Sequence, residues 1–308
     1  MGLLSNQVAK QRRFMSANSR NTLNTAVQSP PASYDRQAAS YDQRAGLPET
    51  VCRQIAAAVP VLAQAEASDL LLEVGAGTGQ IGQWFAQTSV RYLGFDLSQL
   101  MLDVFRQRLN GSKNNLNLLQ ADGNQPWPAA DSTVRVVFSS RAIHLLEADW
   151  ALQEIYRVTR SDSAALILGR VRRQRDSVKA RLQQRLQQML RQRGLSPREG
   201  QRNQQQLLDR CCQQGATMLE PSAIARWIVS SSPWQSLENW RQKSGLAGIS
   251  LDAGIQQQIL CDLQGWAEAE WGDLHQLFES EETYVLQGVR LGVGCDRNPP
   301  EPLIHLNL

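Results

Sequence analysis

Short runs of apolar residues recur through the middle of the chain, separated by stretches in which apolar positions fall three and four apart. The runs read as buried strands and the stretches as amphipathic helices. Their alternation predicts an α/β fold with a mostly parallel sheet. Strands are expected at Leu70–Val74, Arg91–Phe95, Leu116–Leu119, Val134–Phe138 and Ala164–Leu168. A helix after the first strand carries Ile81, Trp84 and Phe85 inward. Ser98 caps the next helix, whose apolar face is Leu100, Met101, Val104, Phe105 and Leu109. A third, Trp150–Val158, buries Leu152, Ile155 and Tyr156.

The second half is less regular. Arg170 to Arg193 reads as one helix with Val178, Leu182, Leu186, Met189 and Leu190 on one face, and Gly194 ends it. The other face is basic, with Arg172, Arg173, Arg175, Lys179, Arg181 and Arg185. Such a face is either solvated or a dock for an acidic partner. A Gln-rich helix and a strand around Ala216–Leu219 follow. Residues 221–278 are rich in tryptophan and read as helical, and Glu282–Leu291 is the last strand. Trp227 and Trp234 either cap a substrate pocket or hold a satellite core together.

The most informative segment is Glu73-Val74-Gly75-Ala76-Gly77-Thr78-Gly79 at the end of the first strand. Glycines there allow positive φ and let backbone approach a ligand closely. A strand, tight turn and helix in this order hold an adenosine-bearing cofactor at the carboxyl edge of an α/β sheet. Gly77 to Gly82 also spells the Gly-x-Gly-x-x-Gly dinucleotide fingerprint, so a nicotinamide-dependent oxidoreductase is an alternative. A carboxylate at Glu73 would repel a pyrophosphate and would suit a cationic amino-acid group. Asp96, ending the second strand, offers two acceptor oxygens to a ribose diol, or caps a helix N-terminus.

Glu73–Gly79 resembles motif I of the class I S-adenosylmethionine-dependent methyltransferases. The resemblance continues through Asp96, Leu97-Ser98-Gln99-Leu100-Met101-Leu102, Gln120-Ala121-Asp122-Gly123, Val136–Ser140 and Glu154–Val158. Together with Tyr34-Asp35 and Tyr41-Asp42-Gln43-Arg44, these segments are similar to the methyltransferase type 11 group, which includes ubiquinone-biosynthesis and malonyl-carrier methylating enzymes. The resemblance spans about residues 33–172. It implies a Rossmann-like, seven-stranded sheet with helices on both faces and the last strand inserted antiparallel, preceded by a helical insert. The implied core is 33–220 with 279–295, the Trp-rich cap is 221–278, and 1–32 and 296–308 are tails.

The cofactor implied is S-adenosyl-L-methionine, at Glu73, Gly75, Ala76, Gly77, Thr78, Gly79, Asp96, Leu97, Met101, Ala121, Asp122, Gly123 and Ser139. Asp122 would accept from the adenine amino group. Leu97 and Met101 pack on adenine or are plain helix core. The acceptor is expected to be a small organic molecule, alone or on an acidic carrier protein. Near it, Arg141 holds an anionic group or is a surface charge. His144 is a general base, a pocket wall or a helix cap. Tyr34 and Tyr41 reach the site from an N-terminal lid, or plug it. A cofactor-binding protein without transfer activity also fits these residues. Arg135, where relatives carry an acid, and Thr159–Ser163, in place of a Pro-Gly-Gly turn, mark a divergent branch and are not expected to touch the cofactor.

Composition narrows the remaining classes. A net charge of +3 is too small to argue for nucleic acid, and no apolar run reaches the length of a membrane span. Five cysteines without a Cys-x-x-Cys pair, and three histidines, point to a reducing compartment, the cytoplasm, and to no metal site. Residues 1–32 hold Lys10, Arg12, Arg13 and Arg20 and no acid, which fits a transit peptide or a disordered tail.

Overall fold

A computed structural model describes residues 42, 46–109, 116–160, 163–197, 200–243 and 245–292. The expectations for Tyr34, Tyr41, the 1–32 tail and the 296–308 tail lie outside these residues. Seven strands form one sheet in the order β3-β2-β1-β4-β5-β7-β6. They are β1 (Leu70–Val74), β2 (Arg91–Asp96), β3 (Leu116–Gln120), β4 (Val134–Ser140), β5 (Ala165–Arg173), β6 (Thr217–Ser231) and β7 (Phe278–Arg290). The first five are parallel, and β7 runs antiparallel between β5 and β6.

Helices cover both faces, as a parallel sheet requires. On one side α1 (Glu49–Ala63) and α2 (Gln99–Arg108) pack on Leu71, Tyr92, Phe138 and Ile167. On the other, α3 (Ala148–Val158) and α5 (Gly200–Gln213) pack on Leu72, Val137, Leu166 and Val289. Ser98 caps α2 as its position predicts, its hydroxyl accepting from Met101 N at 3.2 Å. The full helix expected after β1 is instead a 3₁₀ helix, Gly82–Gln87. Ile81 and Phe85 are buried as expected.

Two further expectations are corrected. The helix predicted to begin at Arg170 begins at Val178, because β5 continues to Arg173 in register with β7, from Ala165↔Arg290 to Arg173↔Glu282. Nine paired residues outweigh the local helical propensity of an Arg-rich run. Ser177 then caps α4 (Val178–Gln192) by accepting from Ala180 N. Likewise residues 221–231 are not helical. The strand expected at Ala216–Leu219 continues to Ser231 against β7, with two register shifts that accommodate Pro221 and Ile224.

The helical cap is therefore α4, α6 (Pro233–Arg241) and α7 (Ala253–Trp271) around Leu182, Leu186, Leu237, Ile259 and Leu263. Its connections leave the ends of β5 and β6 and enter the start of β7, so it stands at the carboxyl edge of the parallel strands. Much of the basic face of α4 is internally occupied. Arg181 pairs with Glu270 at 2.5 Å and Arg193 with Asp262 at 2.5 Å. Lys179, together with Arg173 from β5, meets Glu282. Arg181 and Arg185 also lie over Trp271 and Trp266.

Candidate active site

The glycine loop is stitched to the end of β2. The N–H groups of Gly75 and Ala76 both donate to the Phe95 carbonyl at 3.0 Å. Gly77 N donates to Asp96 Oδ2 at 2.9 Å, and Ser98 N donates to Asp96 Oδ1 at 2.9 Å. A carboxylate oxygen has two lone pairs and can accept more than one hydrogen bond. The helix-capping and ligand readings of Asp96 are therefore compatible. Gly75 has φ +75°, and a Cβ there would lie 2.1 Å from Ala142 Cβ. The loop after β4 thus touches the glycine loop directly.

These segments enclose a solvent-open cleft of about 1120 Å³ at the carboxyl ends of β1, β2, β3 and β4. Of the expected cofactor residues, Gly75, Ala76, Gly77, Thr78, Asp96, Leu97, Met101, Ala121, Asp122 and Gly123 line it. Arg141 lines it too, at φ +65°, a left-handed conformation that costs a non-glycine residue about 1 kcal/mol or more. Phe95, Leu145 and Leu146 add apolar wall. Asp122 is steadied by Asn124 N at 2.9 Å.

Several expected residues stand off the cleft wall. Glu73 is buried on the opposite sheet face, where its Oε2 accepts from the Tyr92 hydroxyl at 2.5 Å. Burial pushes its carboxyl up to about 8, which favours the neutral form at pH 7. Gly79 serves packing, since a Cβ would fall 2.1 Å from the Phe105 ring. Ser139 is fully buried, donating to Val74 O at 2.8 Å and accepting from Ile143 N at 3.1 Å. It holds the β4 loop against β1. His144 lies under α5, where a Cβ on Gly200 would meet its ring at 2.6 Å. Trp227 packs on the α1 side of the core, and Trp234 stacks on His275 in the cap, 4.9 Å between centroids.

Sequence reasoning assigned no role to Asp42, Gln80 and Arg108. Asp42 accepts from the Thr78 hydroxyl at 2.8 Å and pairs with Arg108. Gln80 lines the cleft and receives Leu47 N at 3.4 Å. Together they tie the segment before α1 to the glycine loop. Asp42 lies 36 and 66 positions from its partners, beyond any local pattern. Arg135 donates to Gln64 O and, with Arg160, flanks the buried Asp69 away from the cleft.

Five parallel strands followed by an antiparallel β6–β7 pair differ from the six-stranded parallel order of dinucleotide-binding folds. The sheet order, the glycine loop and the acids at the strand ends agree with the fold that the resemblance to class I S-adenosylmethionine-dependent methyltransferases implies. Residues 71–162 match the family described as a methyltransferase domain. The malonyl-[acyl-carrier protein] O-methyltransferase of Serratia marcescens is 30% identical over 140 residues, 45% of this chain and 51% of its own. The enzyme of the same name from Yersinia pestis is 31% identical over 139 residues, 45% and 49%. The chain thus spans about half the length of the curated relatives it matches. Among solved structures, the YcgJ protein of Bacillus subtilis superposes with a TM-score of 0.50 at 14% identity, over 80% of this chain and all of that one, a likeness of fold.

Proposed function

We propose that this protein transfers the methyl group of S-adenosylmethionine to an oxygen, nitrogen or carbon nucleophile of an organic acid or acyl group, small or carried on an acidic carrier protein. The observation that carries this reading is Asp96, fixed by two backbone N–H groups at the wall of a cleft that the glycine loop also lines.

The residues present fit the cofactor. The loop at Gly75–Gly77 offers side-chain-poor backbone. Asp96 and Asp122 offer acceptor oxygens for a diol and an amino group. Leu97, Met101 and Leu146 offer apolar walls for a planar base. When bound, S-adenosylmethionine supplies an electrophilic methyl on a sulfonium centre. The chain's own contribution is to orient two reactants and exclude water, which is where most of the rate gain of such a transfer arises. Arg141 brings positive charge to the rim, suited to a carboxylate of cofactor or acceptor. The names of the two relatives support a carrier-bound acyl acceptor. Arg172, exposed near the end of β5, and Arg175, exposed just beyond it, suit an acidic carrier better than Arg173 and Arg181, which are ion-paired.

Calorimetry with S-adenosylmethionine and S-adenosylhomocysteine, wild type beside Asp96→Ala, tests the reading. Micromolar binding that weakens at least tenfold in the variant is expected. Absence of binding to the wild type would remove it.

A further inference from the structure

Two buried hydrogen-bond donors stand together on one face of the sheet, outside the cofactor cleft. Arg170 lies on β5, one residue past Gly169, which is in register with the cleft-lining Ser140. Its Nε is shielded from solvent without a hydrogen-bond partner, and no acid pairs with it among the described residues. Its charged neighbour is Arg172, of like sign, and burial and that charge both lower the pKa of its guanidinium. The Nε2 of Gln287 on β7 is also buried without a partner, and the residue is only 7% exposed.

Register places the two side by side. Gln287 is opposite Leu168 and Arg170 is opposite Val285. Side chains alternate along a strand, so Leu168, Arg170 and Gln287 share a face, with Arg170 and Gln287 diagonal neighbours within reach of long side chains. Leu166 and Leu168 on this face pack in the core beneath α5. The cap stands beyond the same edge. A guanidinium Nε–H and an amide N–H, both shielded from solvent without a partner, are costly unless an acceptor meets them, and a carboxylate satisfies a guanidinium best.

We propose that Arg170 and Gln287 form the subsite that holds a carboxylate of the methyl acceptor, so that the acceptor is an acid rather than a neutral amine or alcohol. The inference rests on the methyltransferase reading for the word acceptor, and on the sheet geometry for the carboxylate. An acid of ordinary pKa is already ionised at neutral pH, which accords with a cleft whose nearest histidine is tucked under α5.

The test compares malonyl-pantetheine with acetyl-pantetheine by calorimetry on the full chain, with and without saturating S-adenosylhomocysteine. The wild type should bind the malonyl probe at least tenfold more tightly. Arg170→Gln should lose that preference without changing affinity for the acetyl probe or for S-adenosylhomocysteine. Gln287→Glu places a counter-ion beside Arg170. It should fold at least as stably as wild type by thermal melting and still lose the malonyl preference. Equal affinity of the wild type for both probes, or an undiminished preference in either folded variant, would overturn the subsite. Failure of S-adenosylhomocysteine to bind the wild type would sink the methyltransferase reading alone, since the probes are also compared without it.

Discussion

Replacing Glu73 by Gln isolates the electrostatic state of the acid that opens the glycine loop. Burial raises its carboxyl from 4.5 to about 8 in the folded chain. An acid raised on folding stabilises fully below its unfolded pKa and loses that contribution as pH climbs towards the folded value. Between the two values the unfolded chain releases a proton that the native chain keeps, so stability falls by about 1.4 kcal/mol per pH unit. Integrated from pH 5 to pH 8, the loss is about 3.5 kcal/mol. Gln is neutral throughout, keeps the shape of the protonated acid, and still accepts from Tyr92. The stability of Glu73→Gln relative to wild type should therefore rise by about 3.5 kcal/mol over that interval. Urea unfolding of both proteins at half-unit pH steps measures it, and the difference cancels other titrating groups. A difference that stays flat from pH 5 to pH 8 would show that Glu73 is ionised in the native chain and that its burial does not set its charge.

Three other substitutions probe the site's supports. Gly75→Ala puts a Cβ 2.1 Å from Ala142 Cβ at φ +75°. It should destabilise by roughly 1–3 kcal/mol in urea and weaken S-adenosylhomocysteine binding at least tenfold by calorimetry. Glu154, 4% exposed, accepts from Trp127 N at 2.6 Å and from two Arg157 nitrogens at 2.7 Å each. Glu154→Ala strands the Trp127 N–H and removes one of the two acids paired with Arg157 at a cost of about 3 kcal/mol, so differential scanning calorimetry should show Tm falling by roughly 6–12 °C. Asp42→Ala removes the tie to Thr78 and Arg108. It should speed stopped-flow release of S-adenosylhomocysteine several-fold, with stability changed by less than about 1 kcal/mol because the pair is part-exposed.

Much of the fold was legible because local patterns coincide with it. The strand starts at Leu70, Leu116 and Val134, the Ser98 cap and the spacing of Asp96 after the glycine loop are all short-range features. Ten of the expected cofactor residues line the cleft because they lie on short segments at the ends of β1, β2 and β3, four of them on the glycine turn. Failures came where a distant strand decided. Arg170–Arg173 and residues 221–231 look helical in isolation, and each is strand only because β7 runs between β5 and β6.

The sequence by itself determined the alternation of elements, the glycine turn and the acids at the strand ends, since each depends on neighbours within a few residues. Tertiary structure alone decided that Glu73 turns away from the cleft to Tyr92, that His144 sits beneath α5, and that Asp42 reaches Thr78. It also set Arg170 beside Gln287, more than a hundred positions apart. Burial and pairing across the sheet determine which side chains meet water, partner or ligand, and no local pattern carries that information.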